Sequence, residues 1–330
     1  MSKIAILGAG AWGTALAATI ARSGGAAVLG VRRAAQLEAM RASGENAVYL
    51  PSIKLPSALE ITDDWERAVC DADTIVMAVP SRFARAAIVP IARAIPSNAM
   101  IVSVTKGLEP DTLLTMSAML SQVAGPSGRV AAISGPGFAA EVARGKPAAL
   151  VAAARDDALA ARVQALFAVR SLRIYRSNDL VGVELGGAIK NVIAVAAGIG
   201  DGLDLGSSAR AALITRGLAE MMRLADAAGG RRETLAGLAG LGDLVLTCTG
   251  DLSRNRALGF RIARGETLSA PSDGVPVAEG ADNAIVIREL AARFGVEMPI
   301  VSAVYRVLYE AAPAKAMVEE LLGRQLKAEF

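Results

Sequence analysis

The stretch from Lys3 to Ala17 constrains the fold most. Ile4, Ala5, Ile6 and Leu7 form a short, continuous apolar run, the pattern of a strand covered on both faces of a parallel sheet. Gly8, Gly10 and Gly13 follow at GxGxxG spacing, and an alanine-rich helical pattern begins at once. The first glycine permits a sharp turn, the second lets backbone approach a diphosphate with no Cβ in the way, and the third lets the helix lie close to the strand. Free N–H groups at that helix start suit the diphosphate charge. Spacing alone is met by many strand-to-helix turns, but a preceding apolar strand and a following helix narrow the reading to a dinucleotide site.

Later apolar runs repeat the alternation. Strands are expected at 26–31, 58–61, 73–79, 100–104 and 130–133, with 148–153 and 172–175 extending the sheet and a helix over 156–169. Strands alternating with helices imply an α/β fold with a doubly wound parallel sheet, whose ligands bind outside the carboxyl ends of the strands. Arg32, Lys106 and Gly135 to Ala139 all fall at such ends. From Asn178 onward the patterns are almost only helical: 178–198, 208–228, around 243–248, 254–263, 281–294 and 300–310. With 330 residues, two domains are expected: a Rossmann-type dinucleotide-binding domain over 1–180 and an all-helical substrate domain over 181–330.

Apolar residues make up 53% of the chain, yet no uninterrupted apolar span of about 20 residues occurs, so no membrane insertion is expected. The most apolar helix, 181–200, carries Glu184, Lys190 and Asn191. The first strand begins at once, which leaves no room for a signal peptide, and Cys70 and Cys248 form neither a disulfide framework nor a metal-ligand spacing. A reducing cytoplasm and no metal are therefore expected. Net charge is +3 and aromatics are only 4%, so nothing points to nucleic acid. The chain has no histidine, and proton transfer must fall to another group.

Arg32-Arg33 closes the second strand where an acidic residue would bind a ribose 2′-hydroxyl. Arginine there accommodates a 2′-phosphate, so NADP(H) is favoured and NAD(H) remains open; equally, both arginines could simply open a solvated helix. Lys190 shares a helix face with Gly186, Gly187, Ile193, Ala194 and Ala197. It either snorkels to solvent or is buried with a lowered pKa, as a catalytic lysine would be. Asp243 after a glycine run is a helix N-cap or a partner for a cation. Ser253-Arg254-Asn255 caps a helix or clamps a phosphate. Cys248 reads as a small core residue.

Taken together, LGAGAWGTALA at 7–17, SVTKGLE at 103–109, SGPGFAAE at 134–141, AIKNVIAVAAGIGDGL at 188–203, AALITRGLAEM at 211–221, GLAGLGDLVLTCTG at 237–250, SRNRALG at 253–259 and VAEG at 277–280 resemble bacterial NAD(P)-dependent glycerol-3-phosphate dehydrogenases. The resemblance implies a Rossmann domain followed by a helical domain, and reduction of dihydroxyacetone phosphate to sn-glycerol 3-phosphate for phospholipid synthesis. By position it makes Lys190 the proton donor and acceptor. It assigns substrate binding to Lys106, Gly135, Gly137, Asp243, Ser253, Arg254 and Asn255. Cofactor binding falls to Gly8, Gly10, Ala11, Trp12, Gly13, Arg32, Arg33, Lys106, Ala139, Arg254, Val277 and Glu279. Ala11 and Gly137 stand where hydroxyl residues are usual in that family, so two side-chain hydrogen bonds are lost there and the backbone N–H groups are kept. A small phosphorylated substrate and a homodimer are expected. Two other readings are a related β-hydroxy-acid dehydrogenase, which would need groups for a carboxylate, and a non-catalytic NADP sensor, which would need neither Lys190 nor Asp243.

Overall fold

The computed structural model describes residues 2–124, 129–268, 278–326 and 328. One eight-stranded sheet carries the N-terminal half in the order β3-β2-β1-β4-β5-β6-β7-β8. Its strands are β1 (Lys3–Leu7), β2 (Ala26–Gly30), β3 (Glu60–Thr62), β4 (Thr74–Met77), β5 (Met100–Ser103), β6 (Val130–Ser134), β7 (Ala148–Ala153) and β8 (Leu172–Ser177). Strands β4, β5 and β6 are buried at every residue, which is why their sequences are continuously apolar instead of alternating. The β1 strand pairs with β2 on one side and β4 on the other. Chain order reverses there, and the loops leaving β1 and β4 diverge around a crevice at the strands' carboxyl ends.

The helices of this half are α1 (Ala11–Arg22), α2 (Ala34–Ser43), α3 (Trp65–Val69), α4 (Ser81–Ile88), α5 (Met116–Ala124), α6 (Ala139–Ala143) and α7 (Asp157–Phe167). Separate apolar clusters, one around Ile6, Leu29 and Val102 and the other around Ala5, Met77 and Ile101, cover the two faces of the sheet.

One strand departs from the all-parallel expectation: β7 runs antiparallel to β6, with Ala132 opposite Ala153 and Ser134 opposite Val151. The cause is the connection. Helix α6 has only 5 residues, about 8 Å of rise, too short to cross back along the sheet. It lies against α1 instead, and the chain re-enters from the end at which it left. Helix α7, with 11 residues, supplies a full crossover, so β8 is parallel to β7.

Every regular element after Ser177 among the described residues is helical: α8 (Leu180–Gly202), α9 (Gly206–Ala227), α10 (Arg232–Ala236), α11 (Asp243–Thr249), α12 (Arg254–Ala263), α13 (Glu279–Phe294), α14 (Pro299–Tyr309) and α15 (Ala314–Leu322). Helices α10 and α15 have no counterpart in the sequence reading. The first has 5 residues, too few for a periodicity, and in the second only Met317 is buried. Helix α8 is the axis of this half. Its 23 residues have the length and apolarity of a membrane span, with mean hydropathy 1.6 over an 18-residue window, yet 89% of that window is buried within the molecule. Helix α12 crosses it at backbone contact. A Cβ at Gly198 would lie 1.9 Å from the Arg256 carbonyl oxygen, and one at Gly259 2.0 Å from that of Val195; any larger residue would push the helices apart.

Candidate active site

The turn between β1 and α1 has the form its glycines require. Gly8 has φ +113°, and a Cβ there would lie 2.7 Å from the Ala78 carbonyl oxygen; one at Gly13 would lie 2.1 Å from that of Gly8. Gly10 faces open space, with nothing within 4 Å of a Cβ. Helix α1 has no side-chain cap and no acidic residue in its first turn. Its leading N–H groups therefore meet an opening with no competing acceptor, which fits a diphosphate. Ala11 and Trp12 lie in that first turn, and the Trp12 ring covers Gly137, where a Cβ would lie 3.2 Å from the indole Cη2. Ala139 opens α6.

At the end of β2, the Arg32 guanidinium lies 5.9 Å from the Phe83 ring centroid, and Arg33 lies 5.9 Å from that of Tyr49. Arg33 also donates to the Tyr49 hydroxyl at 2.8 Å and occupies the N-cap position of α2.

Three candidate residues from distant parts of the chain converge. Asp243 lies at the start of α11, but its side chain caps no helix. One carboxylate oxygen, Oδ2, accepts from Lys106 Nζ at 2.6 Å, and Oδ1 lies 3.2 Å from Lys190 Nζ. Lys106 donates a second bond to the Gly135 carbonyl oxygen at 3.0 Å. Gly135 has φ +133°, the left-handed region open to glycine. Lys190 also donates to Thr247 Oγ1 at 2.7 Å, and the Thr247 hydroxyl donates to the Asp243 carbonyl oxygen at 2.6 Å. An ammonium has three donors, so each lysine keeps one for a ligand.

Lys190 is 6% exposed and does not snorkel. Burial, opposed by the Asp243 carboxylate and reinforced by the Lys106 ammonium, lowers its pKa to about 8. Glu279 is partly buried nearby, and burial raises its carboxyl pKa against the pull of Arg254, Lys190 and Lys106. Burial also pushes the Cys248 thiol up to about 12, so Cys248 is a protonated core residue.

The Ser253-Arg254-Asn255 triplet is divided in its contacts. Ser253 is the N-cap of α12, accepting from the Arg256 N–H at 3.2 Å. Asn255 joins three helices: it donates to Asn191 Oδ1 at 2.9 Å and accepts from the Gly280 N–H at 2.8 Å. The Arg254 side chain is exposed, with its field reaching Glu279. Val277 lies outside the described residues.

Two neighbours were missed in the sequence. Thr247 is four residues after Asp243 on one helix face, a spacing that pairs side chains. Asn191 follows Lys190 directly and reaches Glu279 Oε2 at 3.4 Å; adjacency on a helix gives no facing signal, so only the fold reveals it.

Comparison with known proteins gives a consistent set of likenesses. The chain matches the family models described as NAD-dependent glycerol-3-phosphate dehydrogenase N-terminus, over residues 3–160, and C-terminus, over residues 179–319. It is 50% identical over 329 residues to glycerol-3-phosphate dehydrogenase [NAD(P)+] of Thiobacillus denitrificans, covering 99% of this chain and 100% of that one. To the enzyme so named from Geobacter sulfurreducens it is 48% identical over 330 residues, covering 99% and 98%. The crystal structure of glycerol-3-phosphate dehydrogenase from Coxiella burnetii superposes with a TM-score of 0.92 at 39% identity, covering 98% of this chain and 99% of that one.

Proposed function

The chain belongs to the NAD-dependent glycerol-3-phosphate dehydrogenase family, and from that membership we propose how its own residues carry the reaction. It is an NAD(P)-dependent oxidoreductase acting on the CH–OH group of glycerol 3-phosphate. The bound nicotinamide cofactor supplies or accepts the hydride.

In the reducing direction, the Lys190 ammonium donates a proton to the carbonyl oxygen of dihydroxyacetone phosphate as negative charge develops there. In the oxidising direction its neutral amine removes the hydroxyl proton. A pKa of about 8 leaves both forms accessible near neutral pH. The observation that carries this reading is the carboxylate of Asp243 between two buried-side ammonium groups, 2.6 Å from Lys106 and 3.2 Å from Lys190. Asp243 offsets the cost of burying Lys190, and Lys106 opposes it by holding down the pKa. The spare donor of Lys106 serves the substrate and the cofactor. Thr247 aims the Lys190 ammonium, and exposed Arg254 meets the substrate phosphate, with Ser253 and Asn255 fixing the helix start beside it.

The diphosphate would rest on the α1 N-terminus around Gly8, Gly10 and Gly13, beside Ala11, Trp12 and Ala139, with Glu279 facing the same crevice. Arg32 and Arg33 favour NADPH by meeting its 2′-phosphate. Placement in phospholipid synthesis in the cytoplasm, a domain division near 180 and a homodimer complete the proposal. A β-hydroxy-acid substrate has less support, because among the described residues no further cationic cluster for a carboxylate joins Lys106 and Lys190. A cofactor sensor would not need the shared Asp243.

The test is Lys190→Ala, assayed for NADPH oxidation with dihydroxyacetone phosphate and for NADPH binding. Turnover is expected to fall by about 10²–10⁴-fold with cofactor affinity kept, since the cofactor cradle belongs to the sheet domain. A variant retaining more than about a tenth of kcat would remove Lys190 from the role.

A further inference from the structure

We infer that Asn283, which touches neither reacting group, is a positioning residue that holds the Lys106 loop and the Lys190 helix at a fixed separation. It lies in the second turn of α13 and is 2% exposed. Its amide nitrogen donates to the Lys106 carbonyl oxygen at 3.2 Å and to the Ala188 carbonyl oxygen at 3.0 Å. Both amide hydrogens are thus committed, one to the loop after β5 and the other to α8 two residues before Lys190. Its amide oxygen lies against Gly107, where a Cβ would come within 3.0 Å, so the approach depends on a glycine next to Lys106. The preceding residue, Asp282, pairs with Arg82 at the start of α4 at 3.0 Å. One turn of the helical domain therefore grips the sheet domain twice.

The two carbonyl groups belong to the backbones that carry the two ammonium groups sharing Asp243. An error of about 1 Å between catalytic groups costs about a hundredfold in rate, and a backbone amide clasp controls a displacement of that size. Lys190 is faced by Asp243 and Thr247 from α11, Lys106 from the β5 loop and Glu279 from α13, with Cys248 close by. Of these, Lys106 has its backbone held by Asn283. Loosening it removes a neighbouring positive charge from Lys190 and leaves more of Asp243 to it, so the Lys190 ammonium should persist to higher pH.

The inference rests on Lys190 as the proton donor. Asn283→Ala and Asn283→Ser are measured against Val286→Ala, a core truncation in the same helix, for kcat, KM, thermal midpoint and the pH at which reduction is half lost. The Asn283 variants should lose about 10- to 100-fold in kcat, keep KM for NADPH within about threefold and move the pH midpoint upward. Val286→Ala should lower the thermal midpoint and leave kcat and the pH midpoint in place. Asn283→Ser retains a polar group in a smaller void and decides the question should Asn283→Ala not fold. Wild-type kcat and pH midpoint in a folded Asn283 variant would overturn the inference, as would a Val286→Ala enzyme that reproduces both changes. An active Lys190→Ala enzyme would instead overturn the proton-donor assignment, so the two failures are distinguishable.

Discussion

Among single residues, Asp243 shows how an ambiguous side chain acquires a role. In the sequence it is either a cap or a counter-ion; in the fold a π-turn over Leu238–Gly242 delivers it to α11 with its carboxylate turned to Lys106 and Lys190. Lys190 resolves similarly: it is buried, and its ammonium is held by Asp243 and Thr247 instead of reaching out to solvent. The arginine pair after β2 is less constrained. Each guanidinium rests on an aromatic ring, which orients it without neutralising it. A partly exposed arginine–phosphate contact contributes about 1 kcal/mol to a few kcal/mol. The ratio of kcat/KM for NADPH to that for NADH should accordingly lie between several-fold and about a hundredfold, shrinking as salt rises. Arg32→Asp with Arg33→Ser should erase it. Equal kcat/KM for the two cofactors at low salt in the unmutated enzyme would return both arginines to a role as solvated helix-start residues.

At the level of elements, helix ends carry much of the buried polar chemistry. Glu184 of α8 accepts from the Ser117 N–H at 2.8 Å and from its hydroxyl at 2.5 Å, holding the start of α5. Glu220 of α9 accepts from the N–H groups of Ile300 and Val301 at 2.7 and 3.3 Å, holding the start of α14. Burial raises the Glu220 pKa to about 7, although those two N–H groups favour the ionised form. The folded state then binds a proton more tightly than the unfolded chain, so between about pH 4.5 and 7 stability from this group falls as pH rises. Glu220→Gln keeps an acceptor and removes the titration. Relative to wild type, its thermal midpoint should be more favourable at pH 8 than at pH 5, by the equivalent of about 1–3 kcal/mol. An offset that is the same at both pH values would contradict this account.

Sequence legibility follows from the same physics. Strands β1, β2, β4, β5 and β6 were readable because burial on both faces demands nearly unbroken apolar runs. The antiparallel turn into β7 was not, since strand direction is set by what lies between strands, here a helix too short to cross. Lys106, Lys190 and Asp243 were each visible as candidates, but their sharing of one carboxylate depends on how three elements meet. Asn255 and Asn283 form contacts whose partners are 64 and 177 residues away, and no local pattern encodes them.

For the molecule as a whole, the proposed active site lies where the sheet half and the helical half meet, with Lys106 from one and Lys190 and Asp243 from the other. Between α8, α9, α14 and α15 the helical half contains a cavity of about 1690 Å³, with Leu205 41% and Leu322 80% exposed at its margin. The proposed homodimer would cover this exposed apolar surface. Light scattering after gel filtration should give twice the chain mass, and a monomer at micromolar concentration would contradict the homodimer. The central claim is that a single lysine, its pKa lowered by burial and by a second ammonium against the pull of a shared carboxylate, serves as acid in one direction and base in the other. Its most direct test is kcat/KM as a function of pH, followed in both directions. Reduction should fall and oxidation should rise through a common midpoint near the Lys190 pKa of about 8. Rates that rise or fall together in the two directions, or that stay flat through that range, would contradict it.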